Sequence, residues 1–459
     1  MRHSLSIFIG FLLIATQVHS MDEQTFVDRL KNTHPFFTQQ NLTAQIKQID
    51  KQATTAIEDW TLGLDSQYKD ENATDVSTST YDKLETTSID LSVKKKFAQS
   101  GADVVLKHTW KEKNKDVNNV RNKFSIDYTL PLLQNKDGIN DQLQYDLADI
   151  NIHINTLEQA EKEEDFIADK LKKLIDLAYY QEQYNINQQR LSLAKSQLDL
   201  VNKKFAASLV DKVDVLSQED AYQGAKQQLL RAKQDLVLMR QEIAILLNME
   251  GSSIKADLNL YQPYQFNANN LKDLLAKDSR VLKKNDLQQD LLERELKSFK
   301  NQSQAQLDLN LGLSSEGEKS TYSQSLENQS PTWNIGLDLS YPIGGVKNKT
   351  DVEKTQVKLS RKKQEKQEKL ISLYTNTATL KEKIELLWDI LNSNKIRIDI
   401  AQSRAQEEVE RYNKGNTESN FVISAQNNAQ DAHLNYAKAA RDYQKAVIDF
   451  KAATDQLWQ

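Results

Sequence analysis

Cysteine is absent from this 459-residue chain, which removes disulfides, thiolate metal sites, cysteine nucleophiles and a lipid anchor on an N-terminal cysteine together. Glycine and proline are scarce, 12 and 5 residues, so the stretches between them can run as very long helices. Mean hydropathy is −0.67, and no internal run reaches the roughly 18 apolar residues of a spanning helix. A mature chain that meets a bilayer therefore does so through strands. The formal charge is −5 with pI near 5.9. Lys and Arg lie scattered among Asp and Glu and offer no basic footprint for a phosphate backbone, so nucleic acid is not a partner. Site chemistry is missing too. Gly344-Gly345 lacks the Lys-Ser/Thr that would grip phosphate and magnesium. The six histidines show no paired helical spacing for zinc, and no two carboxylates stand apart as an acid–base pair. The expectation is a protein that is not an enzyme and holds no cofactor or metal.

What is present is written twice. Leu30 and Leu62 match Leu275 and Leu307 at an offset of 245, and Pro131 matches Pro342 at 211. Leu191, Phe205, Val215 and Asp235 match Ile398, Tyr412, Val422 and Asp442 at 207. The first two offsets differ by 34 residues, about one β-hairpin more in the first copy. Residues 1–20 read as a secretory signal, with Arg2, an apolar core from Leu5 to Ala15, and Val18-His19-Ser20 before the cleavage point. Repeat 1 then covers 21–250, a linker 251–270, and repeat 2 271–459.

Each repeat opens with a helix, the first over about 22–57 with a turn or kink at His34-Pro35. Strands follow, with apolar residues at every second position: Trp60, Leu62, Leu64, Tyr68; Ile89, Leu91, Val93, Phe97; Val104, Leu106, Trp110; and Phe124, Ile126, Tyr128, Leu130. A Ser100-Gly101 turn joins the second run to the third. Repeat 2 supplies only two runs, Leu307 to Leu313 and Trp333 to Tyr341. Runs near the 9–11 residues of a tilted spanning strand, with aromatics towards their ends and a polar second face, suit a membrane barrel with a wet lumen. A half-buried soluble sheet has the same alternation. Long helices are expected over about 139–205 and 347–412, returning over 214–248 and 420–457. The first is near 100 Å at 1.5 Å per residue. Narrow seams such as Leu191, Ala194, Leu198, Val201, Phe205 and Ala425, Ala429, Ala432, Tyr436, Ala439 call for partners across subunits.

Three kinds of segment carry a family resemblance: Asp127-Tyr-Thr-Leu-Pro-Leu-Leu at a strand-to-helix passage, its counterpart Ser340-Tyr-Pro-Ile-Gly-Gly, and two helix–turn–helix tips. The tips read Lys204-Phe-Ala-Ala-Ser-Leu-Val-Asp-Lys-Val-Asp-Val-Leu and Arg411-Tyr-Asn-Lys-Gly-Asn-Thr-Glu-Ser-Asn-Phe-Val-Ile. In order, duplication and spacing the chain resembles the TolC-like outer-membrane efflux protein family. The resemblance implies a mainly α fold with membrane β: a homotrimer forming an α-helical barrel in the periplasm and a transmembrane β-barrel among outer-membrane lipid. It further implies a passive exit channel for efflux or type I secretion, served by a periplasmic adaptor and an inner-membrane pump. The tips Ser208, Leu209, Val210, Asp211 and Lys414, Gly415, Asn416, Thr417 would dock the adaptor. A surplus hairpin would give each protomer six strands, eighteen in a trimer. The rival reading is an exported coiled-coil scaffold or adhesin without channel activity.

The family's gate carries over in part. Its tip Gly is Gly415 in repeat 2 but Ser208 in repeat 1, a turn less permissive of positive φ. Asp214 and Tyr412 match the acidic and aromatic gate positions. Thr417 stands where the family has a locking Arg, and Phe421 and Ser424 where it has an acidic pair, so a conventional salt-bridged lock is not expected. Glu418 offers charge from another position. Asp214 equally suits the first turn of the return helix, whereas Tyr412 suits seam packing better than a gate and Glu418 suits a solvated tip better than a pore.

Overall fold

The computed structural model describes residues 19–72, 83–114, 119–249, 254–266 and 270–457. Its helices are α1 (Glu23–Thr33), α2 (Pro35–Thr54), α3 (Leu143–Ala206), α4 (Lys212–Leu246), α5 (Leu271–Asp278), α6 (Arg280–Gln302), α7 (Tyr322–Glu327), α8 (Val346–Asn413) and α9 (Ser419–Ala453). Its strands are β1 (His19–Met21), β2 (Thr61–Asn72), β3 (Lys83–Phe97), β4 (Ala102–Asn114), β5 (Asn119–Pro131), β6 (Ile254–Ala256), β7 (Gln306–Lys319) and β8 (Ser330–Ser340). The chain forms two compact units. Among the described residues no helix is long and apolar enough to cross a membrane.

One unit comprises Leu42–Glu158 and Val281–Glu368 and holds a six-stranded antiparallel sheet in the order β2-β3-β4-β5-β7-β8. Four strands come from the first repeat and two from the second, where the alternation places them. The 34-residue surplus corresponds to the β3–β4 hairpin, whose turn closes at Gly101 with φ 76°. A β-carbon there would lie 2.5 Å from the Asn135 carbonyl, so only glycine fits. Cross-strand rows join like with like: Leu62, Val93, Leu106, Ile126, Leu313 and Trp333 stand side by side on one face. That face is exposed, with Leu62 70% and Leu64 72% accessible. On the other face Lys107 pairs with Asp90 at 2.8 Å and Arg121 with Glu316 at 2.5 Å. The strands run 11 to 15 residues, longer than a bare crossing needs. The short helix α7, which periodicity does not reveal, packs on β5 and β7, where Asn122 donates to Ser325 Oγ at 2.5 Å.

The other unit gathers Gln159–Arg280 and Lys369–Gln459 with the chain up to Asn41. Its core joins Phe26, Leu30, Leu174, Ile243, Ala440 and Ile448. The expected kink appears as a break between α1 and α2 at His34, whose N–H still bonds the Leu30 carbonyl at 2.9 Å. The expected secretory segment lies outside the described residues except for His19 and Ser20. These, with Met21, pair in parallel with Ile254–Ala256.

Candidate functional site

The two tips are backbone copies of one another. At the first, Leu209 N–H bonds the Lys204 carbonyl and Ser208 N–H that of Phe205. At the second, Asn416 bonds Arg411 and Gly415 bonds Tyr412. These paired bonds at a helix end are a Schellman closure, which needs one residue at positive φ. Gly415 takes it at 76°, and Ser208 takes it at 59°. Serine therefore adopts the conformation that its β-carbon disfavours, and the first turn is no different in shape from the second. The return helices begin with Asp211 and Glu418 as N-caps, neither using its side chain as a cap.

Between the tips lies a cavity of about 580 Å³ lined by residues of both, including Ser208, Leu209, Val210, Asp211, Asp214 and Lys414, Gly415, Thr417, Glu418. Tyr412 lines it as well. It is buried with Val201 and Val422, against Val210, Val215 and Val409. Its hydroxyl is buried without a hydrogen-bond partner among the described residues, and burial, with Asp214 adding to it, pushes the phenol above its usual range. Lys204 Nζ sits 3.8 Å from the ring centroid and donates to the Tyr412 carbonyl at 3.2 Å and Asn413 Oδ1 at 3.4 Å. Burial holds this ammonium below the usual lysine range. Ser419 Oγ donates to Asp214 Oδ1 at 2.7 Å.

The structure thus brings together Asp214 and Tyr412, while Phe421 and Ser424 lie exposed on another face of α9 and Glu418 is exposed at its start. Leu209 is 72% accessible, and Asn416 is exposed. Lys204 and Ser419 complete the site without having been singled out by motif. The duplication held a signal for the first, since Lys204 aligns with Arg411, also basic in the last helical turn.

One further cluster bears on metals. Glu161, Glu164 and Asp455 place a carboxylate oxygen each within 4.8 Å of one another. Arg280 already fills their centre: its Nε donates to Glu161 at 2.6 Å, its guanidinium meets Glu164 and Asp455, and its N–H bonds Asp455 at 2.7 Å. Burial raises the Glu161 carboxyl. The cation of this cluster is the guanidinium.

No family model and no curated protein matches the chain. Solved structures do. CusC, whose structures concern folding and transmembrane channel formation, superposes with a TM-score of 0.69 at 11% identity, over 94% of this chain and 91% of that one. The outer membrane protein VceC of Vibrio cholerae gives 0.65 at 11%, over 94% and 95%. The open-state outer membrane channel MtrE of Neisseria gonorrhoeae gives 0.66 at 12%, over 95% and 89%. The chain has the TolC-like channel fold. Within that fold the tip cavity lies at the turns of both helical hairpins, and the apolar face belongs to the sheet.

Proposed function

We propose that the chain is a passive exit channel of the outer membrane, three copies of which close one β-barrel and one helical barrel. The observation that carries this is the sheet. It exposes an apolar face, keeps most of its charges on the other and the rest of them towards the strand ends, and ends in β2 and β8, which have no partner on their outer sides among the described residues. An open edge cannot lie in lipid, because unpaired backbone groups there cost several kcal/mol each. Further copies must supply the missing strand neighbours, β8 of one beside β2 of the next, giving eighteen strands in a trimer.

The height of the apolar band supports the reading. Phe97, at one end of β3, and Ile89, beside Trp110, lie eight residues apart on the same face. That is about 27 Å along a strand, or about 20 Å of height at a 40° tilt, close to the roughly 25 Å band of outer-membrane barrels. Lys95 points to the same face near the rim, its Nζ 5.3 Å from the Trp60 ring, as an interfacial cation does. A soluble scaffold or adhesin would have to cover this face, which is the reason to rank that reading second.

On this proposal the tips dock a periplasmic adaptor at Ser208–Asp211 and Lys414–Thr417, and opening separates the two hairpins, breaking Ser419–Asp214 and withdrawing Lys204 from Tyr412. The energy comes from an inner-membrane pump. Because the chain has no cysteine, single cysteines introduced along β2 and β8 give a clean crosslinking test in membranes. The expected ladder stops at three chains. A soluble monomer, or a ladder ending at two, overturns the proposal.

A further inference from the structure

The charges on the polar face of the sheet are sorted by strand. Pairing register puts Lys94 and Lys96 of β3, Lys107, Lys111 and Lys113 of β4, and Arg121 and Lys123 of β5 on that face. Only Asp90, Asp103 and Asp127 oppose them on these three strands. The flanking strands reverse the balance. On β7 and β8 the same face carries Asp308, Glu316, Glu318 and Asp338, and on β2 it carries Asp65 and Glu71 with Lys69 as the lone cation.

Ion pairing does not erase the pattern. Lys107 is matched by Asp90 and Lys96 by Asp103 and Asp141, while Lys94, Lys111 and Lys123 join no ion pair among the described residues. Arg121 and Glu316 meet at 2.5 Å on the boundary between the two zones. Five of the seven cations ride on β3 and β4, the hairpin that the first repeat has in excess. Without it the face would be acidic on balance, with only Arg121 and Lys123 of β5 and Lys69 of β2 left against seven carboxylates.

From this we infer that the barrel lumen favours solutes carrying both signs of charge. The inference rests on the channel reading, since β8 of one copy beside β2 of the next joins the acidic strands into one stripe. Acidic and basic stripes, three strands wide, then alternate round the wall. Three strands span about 14 Å, wider than the screening length of about 8 Å at physiological salt. Charges alternating strand by strand would cancel within that length, whereas stripes of this width keep their own sign. A simple ion of either sign finds one kind of stripe that attracts it, so the wall selects weakly between cations and anions. A solute whose opposite charges lie about 14 Å apart is attracted at both ends when it lies across a boundary.

The test uses the full chain in planar bilayers and proteoliposomes, with Tyr412→Ala and Phe421→Ala both present so that the tips do not limit flux. Three hexapeptides serve as probes: one with lysines at one end and glutamates at the other, one with lysines only, one with glutamates only. The expected result is a reversal potential near zero in a salt gradient and fastest release of the mixed-charge peptide. Lys94→Glu with Lys111→Glu and Lys123→Glu should shift the reversal potential to the cation side and abolish that advantage. The same three positions changed to Gln, a milder set that preserves folding, should shift it part of the way. An unchanged reversal potential in both sets, or equal release of the three peptides by the parent, overturns the inference and leaves the channel standing. Absence of conductance in every protein overturns the channel reading itself.

Discussion

Phe205 and Tyr412 occupy the same place in two turns of the same shape, yet Phe205 is 43% exposed while Tyr412 is 6% exposed. The acidic position is split in the same way: Asp214 in the first tip is half-buried and bonded to Ser419, whereas its counterpart Phe421 is 52% exposed. Duplication has preserved the hydrogen bonds of the turn and redistributed its chemistry. The first tip sends Lys204 and Asp214 inward, and the second receives them with Tyr412 and Ser419. The site is a contact between unlike halves, and neither turn would make it with a copy of itself.

The largest break in this comparison is expected at the buried aromatic. Tyr412→Ala leaves a cavity beside Val201 and Val422 and should destabilise the tip by about 3–5 kcal/mol. Phe205→Ala, at a largely exposed position, should cost within about 0.5 kcal/mol. Amide exchange over residues 405–425 measures both, and equal effects would show that the burial difference has no energetic weight.

Next comes the bond between halves. A hydrogen bond to a charged group contributes about 1.5–3 kcal/mol, so Ser419→Ala and Asp214→Ala should each cost about that much and the double variant no more than either. Full additivity would place Asp214 in helix-end electrostatics alone. On the proposed trimer, Asp214→Asn should also weaken cation preference in bilayers, because three such carboxylates round a narrow throat would concentrate negative potential.

The pattern of what was legible follows the same line. Helices, strands and the 207-residue register could be read because breakers are rare and each period is sustained over many residues. Which aromatic would be buried could not be read, since Phe205 and Tyr412 share one phase of one repeat. Lys204 reaches Tyr412 across 208 residues of sequence, a separation at which periodicity carries no signal. Ser208 misled for a different reason. Its side chain argues against positive φ, but the closure bonds on both sides of it hold the turn.

That strain supplies a smaller test. Left-handed backbone costs a residue with a β-carbon roughly 1 kcal/mol, so Ser208→Gly should stabilise the first tip by about that amount and Gly415→Ala should destabilise the second similarly. No change in either would mean that the turns relax. The titration of Tyr412 sharpens the contrast without a mutation at Phe205, which has no proton to lose. Its folded pKa is raised above the ordinary 10, so its contribution to stability is complete below pH 10 and is lost as pH climbs through the raised value. Tyr412→Phe should remove that alkaline loss, and tip exchange rates measured between pH 9 and 12 would show it.

The smallest effect on stability is expected at Phe421, and it is the one that separates packing from gating. Phe421 shares an exposed side of α9 with Ser424 and lies outside the core that Val422 and Tyr412 form, so Phe421→Ala should change tip stability by less than about 0.5 kcal/mol. On the proposed trimer, three such rings facing a common axis would narrow the entrance by bulk rather than by charge, since Thr417 cannot supply a lock. The same substitution should therefore raise resting conductance in planar bilayers while leaving amide exchange unchanged. A rise in conductance accompanied by faster exchange would assign Phe421 to packing, and unchanged conductance would move the constriction away from this face of α9.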